Sequence, residues 1–169
     1  MITLTKAADP VGRERGRYEQ HMYSTGYDVQ YDSTWVTSPN GKYIRSTLKD
    51  SRLHAPIYDV DQPVTATATE TGTNLQFAPV SRRRMRQARR RLQRLGVLDP
   101  ATPEALGSLT LTLPIRAVPS RTAGHVHLYV DVPMPFDRTV KLAKALAGLV
   151  DPRHIRISRK SKAWLAHLA

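Results

Sequence analysis

This sequence contains no cysteine, and that absence removes several protein classes at once. A chain without cysteine forms no disulfides, so it is not one of the small secreted folds that depend on them. It also cannot build the zinc sites that need thiolate ligands. Any metal site in this protein must therefore use histidine and carboxylate side chains, and a reducing, intracellular setting is favoured.

Long apolar runs are missing as well. None approaches the ~20 consecutive apolar residues of a membrane span, and residues 1–20 lack the apolar stretch of a secretory signal peptide. Because 40% of its residues are hydrophobic, the 169-residue chain still has enough apolar side chains for the core of one compact domain. We therefore expect a soluble protein of the cytoplasm.

Acidic residues are few compared with basic ones. Lys and Arg number 26, Asp and Glu number 14, and the net charge is +12. A cationic surface gains affinity for nucleic acid because it neutralises phosphates and releases their counterions. The charge therefore predicts a nucleic-acid partner, for which we favour DNA over RNA, and no membrane partner is expected because long apolar runs are missing. The alternatives are a ribosome-like protein and a protein of the membrane surface.

The segment SRTAGHVHLYVD, residues 120–131, has the most unusual pattern in the chain. From residue 125 onward, polar and apolar side chains alternate, which is typical of a strand with one apolar and one polar face. Imidazole and carboxylate groups bind metals and transfer protons, so the polar face predicts a functional site. The polar face of this predicted strand consists of His125, His127, Tyr129 and Asp131.

The segment IYDVD, residues 57–61, repeats this alternation, with Asp59 and Asp61 on one face. Two neighbouring carboxylates repel each other, and a divalent cation such as Mg²⁺ or Mn²⁺ relieves the repulsion. Chemistry at such a site would be metal-dependent nucleotidyl transfer or phosphodiester cleavage. The predicted metal ligands are Asp59, Asp61, His125 and Asp131, and the predicted catalytic residues are Asp59, Asp61, His127 and Asp131.

Residues 81–96, SRRRMRQARRRLQRLG, predict a helix with Ser81 as its N-cap and Gly96 as its end. Eight arginines surround the apolar stripe of this helix, and no acid balances them. Exposed helix faces usually mix charge signs, so an anionic partner explains the pattern, although arginine is also simply a good helix former. The predicted nucleic-acid contacts are Arg82, Arg83, Arg86, Arg90 and Arg94, together with Ser120 and Tyr129.

From residue 57 the elements follow the order strand, helix, strand, strand, helix, strand, with a Thr-rich insert at residues 64–78 that forms a hairpin or a loop. This βαββαβ order is typical of ferredoxin-like and RNA-recognition-motif folds. We therefore predict an α+β fold with a ferredoxin/RRM-like sheet and an N-terminal β-hairpin extension. The predicted segments are a flexible basic arm at 1–26, the hairpin at 27–56, the RRM-like core at 57–158 and a tail helix at 159–169.

In that topology the first and third strands are neighbours, and one face of the sheet is open to solvent. The strands at residues 57–61 and 125–131 would then bring their acidic and histidine side chains together on the open face. The ring of Tyr129 would be available there to stack on a base. The last strand of the sheet is predicted at residues 154–158.

The DVD of residues 59–61, followed by Ser120, Gly124 and the HLY of residues 127–129, resembles the motifs of the archaeo-eukaryotic primase superfamily. The core of that family is itself RRM-like. The resemblance implies that Asp59 and Asp61 bind metal and that His127 binds a nucleotide phosphate, with Ser120 nearby. It also implies a third acidic residue on a later strand, for which Asp131 and Asp151 are both candidates.

Residues 56–158 also resemble small proteins encoded by actinobacterial phages. The shared patterns are P-hhD-hD-P and VPS-x-T-x-GH-x-HLY-hDVP, where h is apolar. This resemblance implies a phage origin, the cytoplasm of a bacterial host and a common fold, and it carries no activity with it.

Together these features predict a phage-type nucleic-acid-binding protein with a primase-core-like metal and nucleotide site, active or degenerate. One alternative is a non-catalytic module that binds single strands through its open sheet and its arginine helix. The other is a phage structural or host-interaction protein whose basic helix binds a polyanionic partner. Metal-dependent activity that is lost when Asp59 is changed would distinguish the enzyme from both.

Overall fold

The computed structural model of the chain describes residues 31, 36–38, 41–49, 51–102, 105–120 and 122–168. These residues contain nine strands and three helices. The strands are β1 (Val36–Ser38), β2 (Gly41–Arg45), β3 (Ile57–Val60), β4 (Val64–Ala68), β5 (Thr73–Phe77), β6 (Ser108–Leu111), β7 (Ile115–Pro119), β8 (Val126–Val130) and β9 (Leu165–Leu168). The helices are α1 (Arg82–Leu95), α2 (Phe136–Ala145) and α3 (Pro152–Ser161).

Within this part of the chain the strands form three antiparallel sheets of three strands each, in the orders β1-β2-β9, β3-β8-β7 and β4-β5-β6. The second and third sheets are joined at Thr73, whose hydroxyl accepts a hydrogen bond from the backbone N of Ile115 at 2.8 Å and donates to the carbonyl of Leu113 at 2.8 Å. The predicted α+β class is confirmed.

The main core lies between the β3-β8-β7 sheet and the helices. Tyr58 on β3 is fully buried, and its hydroxyl donates to the carbonyl of Thr139 on α2 at 2.6 Å. Leu128 on β8 and Leu92 on α1 belong to the same buried cluster. The apolar face of β3 and β8 therefore points toward the helices, as the alternation of the sequence predicted, and Asp59 points the other way.

Helix α1 follows its sequence signals closely. The Ser81 side chain accepts a hydrogen bond from the backbone N of Arg84 at 3.2 Å, and Gly96 ends the helix in the left-handed region with φ 78°. Only a glycine adopts that backbone conformation without strain. The buried residues Met85, Ala88 and Leu92 are one or two turns apart, which leaves the arginines to the outer faces.

The predicted last strand at residues 154–158 is wrong, because these residues lie in α3. The alternation of Ile155 and Ile157 suggested a strand, but Asp151 and Pro152 begin a helix. The Asp151 side chain accepts a hydrogen bond from the backbone N of Arg153 at 2.9 Å. Pro152 occupies the first turn, where its missing N–H costs nothing. In the helix, Ser158 is buried and Ile157 is 57% exposed.

The predicted tail helix is also replaced by a strand. β9 pairs antiparallel with β2, so that Leu165 lies opposite Arg45. Trp164, just before β9, is 0% exposed. The predicted boundary between residues 158 and 159 therefore falls inside α3, and the N-terminal hairpin and the C-terminal strand share one sheet.

The other strand predictions are refined. β1 and β2 form the predicted hairpin, with Ser38 paired to Gly41, and the Thr-rich insert is the β4–β5 hairpin. The segment at residues 108–120 supplies two strands, β6 and β7, where the predicted βαββαβ order has a single strand between the arginine-rich helix and the strand at residues 125–131. The flexible arm at 1–26 lies outside the described residues.

The expected ferredoxin-like order is present for three strands only. β3, β8 and β7 are arranged as the first, third and second strands of such a sheet would be, but α3 stands where the fourth strand was expected. The structure is therefore α+β, and the complete βαββαβ arrangement is not confirmed.

Candidate functional site

The candidate site lies on the polar face of the β3–β8 pair. The two strands are antiparallel neighbours, as predicted, and Asp59 is directly opposite His127. Directly opposed residues place their side chains on the same face of a sheet. The two polar patterns of the sequence are therefore brought together by this register.

The closest contact joins the ends of the two strands. The Nδ1 atom of His125 lies 3.0 Å from the Oδ1 atom of Asp61, with side-chain exposures of 34% for His125 and 51% for Asp61. With Asp59, which is half-buried, they form a group whose ligand atoms all lie within 4.8 Å of one another. Two carboxylates and one imidazole, partly open to solvent, suit Mn²⁺ or a related divalent cation.

Asp151 is the further acid that reaches this group. Its backbone N donates to the carbonyl of Asp59 at 3.1 Å. The pKa of the Asp61 carboxyl is raised, first by partial burial and then by the charge of Asp151, which His125 partly offsets; Asp59 and a hydrogen bond with Asp151 raise it further. A cluster of acids that suppresses its own ionisation gains most from a bound cation.

The sequence placed Asp151 only as one of two candidates for a third acid. Its position beside Asp61 depends on the start of α3, where Asp151 is the N-cap. The Asp-Pro pair was the available signal, because Asp followed by Pro commonly begins a helix and so holds the carboxylate at a defined place.

The polar face of β8 is buried instead of open, which corrects the expectation of a solvent-exposed sheet. His127 is 5% exposed, and Tyr129 and Asp131 are 0% exposed. Tyr31 packs edge-on against the Tyr129 ring with centroids 6.5 Å apart, and the Arg116 guanidinium lies 5.1 Å from its centroid. Tyr129 is therefore a packed ring in this structure and does not offer a face for a base.

Asp131 does not belong to the group formed by Asp59, Asp61 and His125. Burial raises its pKa well above the ordinary value, and Arg116 only partly opposes that shift. Asp131 is fully buried, and its carboxylate is not among the ligand atoms that lie within reach of one another, so it does not share an ion with the three residues of the group. His127, although opposite Asp59, is likewise outside the group.

The raised pKa of Asp131 predicts a pH dependence of stability. The folded state binds this proton more tightly than the unfolded state, so the contribution is most favourable below about pH 4 and is lost as pH rises toward the folded pKa. Asp131→Asn cannot ionise and should remove this decline, which urea unfolding at a series of pH values measures. Parallel pH profiles for the variant and the wild type would contradict the assignment.

Ser120 lies in the turn that joins β7 to β8. Its backbone N donates to the carbonyl of His125 at 3.0 Å, and its hydroxyl accepts from the backbone N of Thr122 at 3.1 Å. In this structure Ser120 closes the hairpin that presents His125. It is thus close in the chain to the acid–histidine group, on a turn and not on a strand face.

The arginines predicted to contact nucleic acid are exposed on α1, and they belong to a larger basic surface. The three helices contain 15 of the 26 Lys and Arg residues of the chain and one of its 14 acids, Asp137. Arg91 donates to the carbonyl of Lys144 at 3.0 Å and Arg138 to that of Leu95 at 3.3 Å, so α1 and α2 are adjacent. We call these three helices the helix layer.

The contribution of α3 to the helix layer was not predicted, because its residues were assigned to a strand. It adds Arg153, Arg156, Arg159 and Lys160, all exposed. The rest of the chain has 11 basic and 13 acidic residues, so the net positive charge of the protein comes from the three helices. Among the described residues, no helix has both the length and the apolar character to cross a membrane.

Comparisons with protein-family models, with curated proteins and with solved structures found no match to this chain. The resemblances to primases and to phage proteins therefore stay predictions.

Proposed function

We propose that this protein binds nucleic acid, DNA in the first instance, through the helix layer. The observation that carries the proposal is the separation of charge: 15 basic residues and one acid lie on three helices packed on the same core. Exposed cations repel one another, and the regularly spaced phosphate groups of a nucleic acid relieve that repulsion.

Charge reversal on α1 tests this proposal. Arg86→Glu with Arg90→Glu should lower the affinity for a labelled DNA duplex by at least about 10-fold and reduce the salt slope of binding by about 2, because two phosphate contacts are lost. Fluorescence anisotropy over a range of salt concentrations measures both quantities.

The matched control is Lys49→Glu with Arg52→Glu, which makes the same change of charge at exposed residues outside the helix layer. If the control pair weakens binding as much as the α1 pair, net charge alone governs the affinity. The helix layer would then not be the binding surface.

The second part of the proposal is a divalent-cation site at Asp59, Asp61 and His125. It is supported by the 3.0 Å contact of Asp61 with His125 and by ligand atoms of all three residues within 4.8 Å of one another. When bound, Mg²⁺ or Mn²⁺ would polarise and orient a phosphate oxygen. Asp59 and Asp61 would hold the ion, and Asp151 would add negative charge beside it.

Of the two candidates for the third acid of the primase resemblance, Asp151 is the one beside the group, although it caps a helix and does not lie on a strand as the resemblance implies. Asp151 interacts with Asp61, whereas Asp131 is buried just after the end of β8. We accordingly propose a primase-core-like site built from Asp59, Asp61, His125 and Asp151 on an RRM-related sheet whose fourth strand is replaced by α3. His127 and Ser120 would support it from β8 and from the β7–β8 turn.

The site and the helix layer meet at α3. Asp151 caps the first turn of that helix, and Arg153 and Arg156 follow it on exposed positions. A phosphate chain bound along α3 would therefore lead toward the acid–histidine group. The non-catalytic alternative, a phage structural or host-interaction protein, uses the same helix layer and differs in having no cation-dependent chemistry.

A further inference from the structure

The groove between α2 and α3 combines aromatic rings with converging cations, and it lies apart from the acid–histidine group. It encloses about 730 Å³. The residues that matter for binding are His54, Phe136, Lys141, Lys144, Arg159 and Lys162. Asp137, in the first turn of α2, is the single acid in its lining.

The aromatic floor of the groove is held in place by its neighbours. Phe136 is half-buried and packs on His54 with ring centroids 5.2 Å apart and on Trp164 at 6.3 Å. His54 is itself fixed by a 2.9 Å hydrogen bond between its Nδ1 atom and the Ser46 hydroxyl, and by a backbone bridge to Met134. A ring that is already immobilised binds a planar ligand with little further loss of conformational entropy.

The cations come from two directions. Lys141 and Lys144 lie one turn apart on α2, and Arg159 and Lys162 lie near the end of α3. Val140 continues the apolar surface one turn after Phe136. The groove thus has an apolar, aromatic floor for a flat ring and two basic walls for an anion.

We propose that this groove binds a nucleoside phosphate, either free or as a unit of a single strand, with the base against Phe136 and the phosphate between the cations of α2 and α3. In a duplex the bases are stacked on one another and cannot reach the ring, so the groove selects unpaired nucleotides. This inference rests on the proposed function, since it assigns a position within the helix layer to an unpaired nucleotide.

Binding of three probes tests this proposal: a 15-nucleotide oligothymidylate, a hairpin duplex of similar length, and thymidine monophosphate. Phe136→Leu keeps an apolar side chain and removes the ring. It should weaken binding of the oligothymidylate by about 10-fold, as expected when one base loses its stacking partner, and leave duplex affinity unchanged. Micromolar binding of the monophosphate would identify a free nucleotide as the ligand, and tight binding of the oligothymidylate alone would identify a single strand.

A pair of charge reversals gives a second test of the groove, one that does not depend on how well the Phe136 variant packs. Lys141→Glu with Arg159→Glu changes the two walls, and Arg156→Glu with Lys160→Glu makes the same change of charge on exposed residues of α3 outside the groove. The groove pair should reduce oligothymidylate affinity at least about 10-fold more than the control pair does.

The outcomes separate the two proposals. If the wild type binds duplex and single strand but neither groove variant affects the single strand selectively, the groove inference is wrong and the helix layer stands. If the wild type binds none of the three probes, the proposed function fails and this inference fails with it.

Discussion

Replacing Asp61 with Asn should reduce the affinity for Mn²⁺ by at least about 100-fold, because it removes one of the two carboxylate ligands, and even the loss of a contact that only supports a ligand costs a metal site about 10–100-fold. The wild type should bind one Mn²⁺ in a calorimetric titration. Asp61→Asn keeps the size of the side chain and removes one of two carboxylates, together with the negative charge that lies 3.0 Å from His125. The same titration with added nucleoside triphosphate measures whether the ion recruits a nucleotide.

Two controls make this result specific. Glu70→Gln removes one negative charge from an exposed residue of the β4–β5 turn and should leave Mn²⁺ binding unchanged. Asp131→Asn should also leave it unchanged, because Asp131 is buried outside the group. An Asp131 variant that loses the ion while Asp61→Asn retains it would reverse the assignment of the third acid. Absence of binding in the wild type would leave a degenerate site and make the helix layer the working surface of the protein.

Replacing Trp164 with Ala should destabilise the protein by about 3–5 kcal/mol, the usual cost of deleting a large buried aromatic side chain. The indole is 0% exposed and packs edge-on against Tyr58 with centroids 4.8 Å apart. Its Nε1–H donates to the Thr139 hydroxyl at 2.7 Å, so the variant leaves a cavity and also removes one buried hydrogen bond. Urea unfolding followed by circular dichroism measures the loss.

The matched control is Ile157→Ala on α3, where the side chain is 57% exposed and the expected change is within about 0.5 kcal/mol. Trp164→Phe should give an intermediate loss, because it retains most of the ring and removes the hydrogen-bond donor. If Trp164→Ala unfolds at the same urea concentration as the wild type, the docking of the C-terminal strand does not contribute to the stability of the domain.

Much of the local structure was predictable because its causes are local. Ser81 and Gly96 mark the ends of α1, and the spacing of Met85, Ala88 and Leu92 sets its buried face. The alternation in residues 57–61 and 125–131 fixed which side chains share a face, and the pairing of β3 with β8 placed them together. These signals depend on backbone geometry within a few residues, so they can be interpreted without knowledge of the fold.

The errors came where two local signals competed or where the outcome depended on distant residues. In α3 the Asp151–Pro152 start was stronger than the alternation of Ile155 and Ile157, and the helix formed. The burial of Tyr129 depends partly on Tyr31, which is almost a hundred residues away in the chain. The alternation of residues in β8 does not indicate which other residues pack on its polar face.

By itself, the sequence determined the α+β class, the arginine-rich helix, the absence of cysteine chemistry and the face on which the acids and histidines lie. Only the tertiary structure decided that Asp151 rather than Asp131 interacts with Asp61, beside the group of Asp59, Asp61 and His125, and that α3 adds its cations to those of α1 and α2. The reason is physical: propensity, capping and periodicity act over a few residues. The assembly of a site depends on packing between segments, which those local rules do not encode.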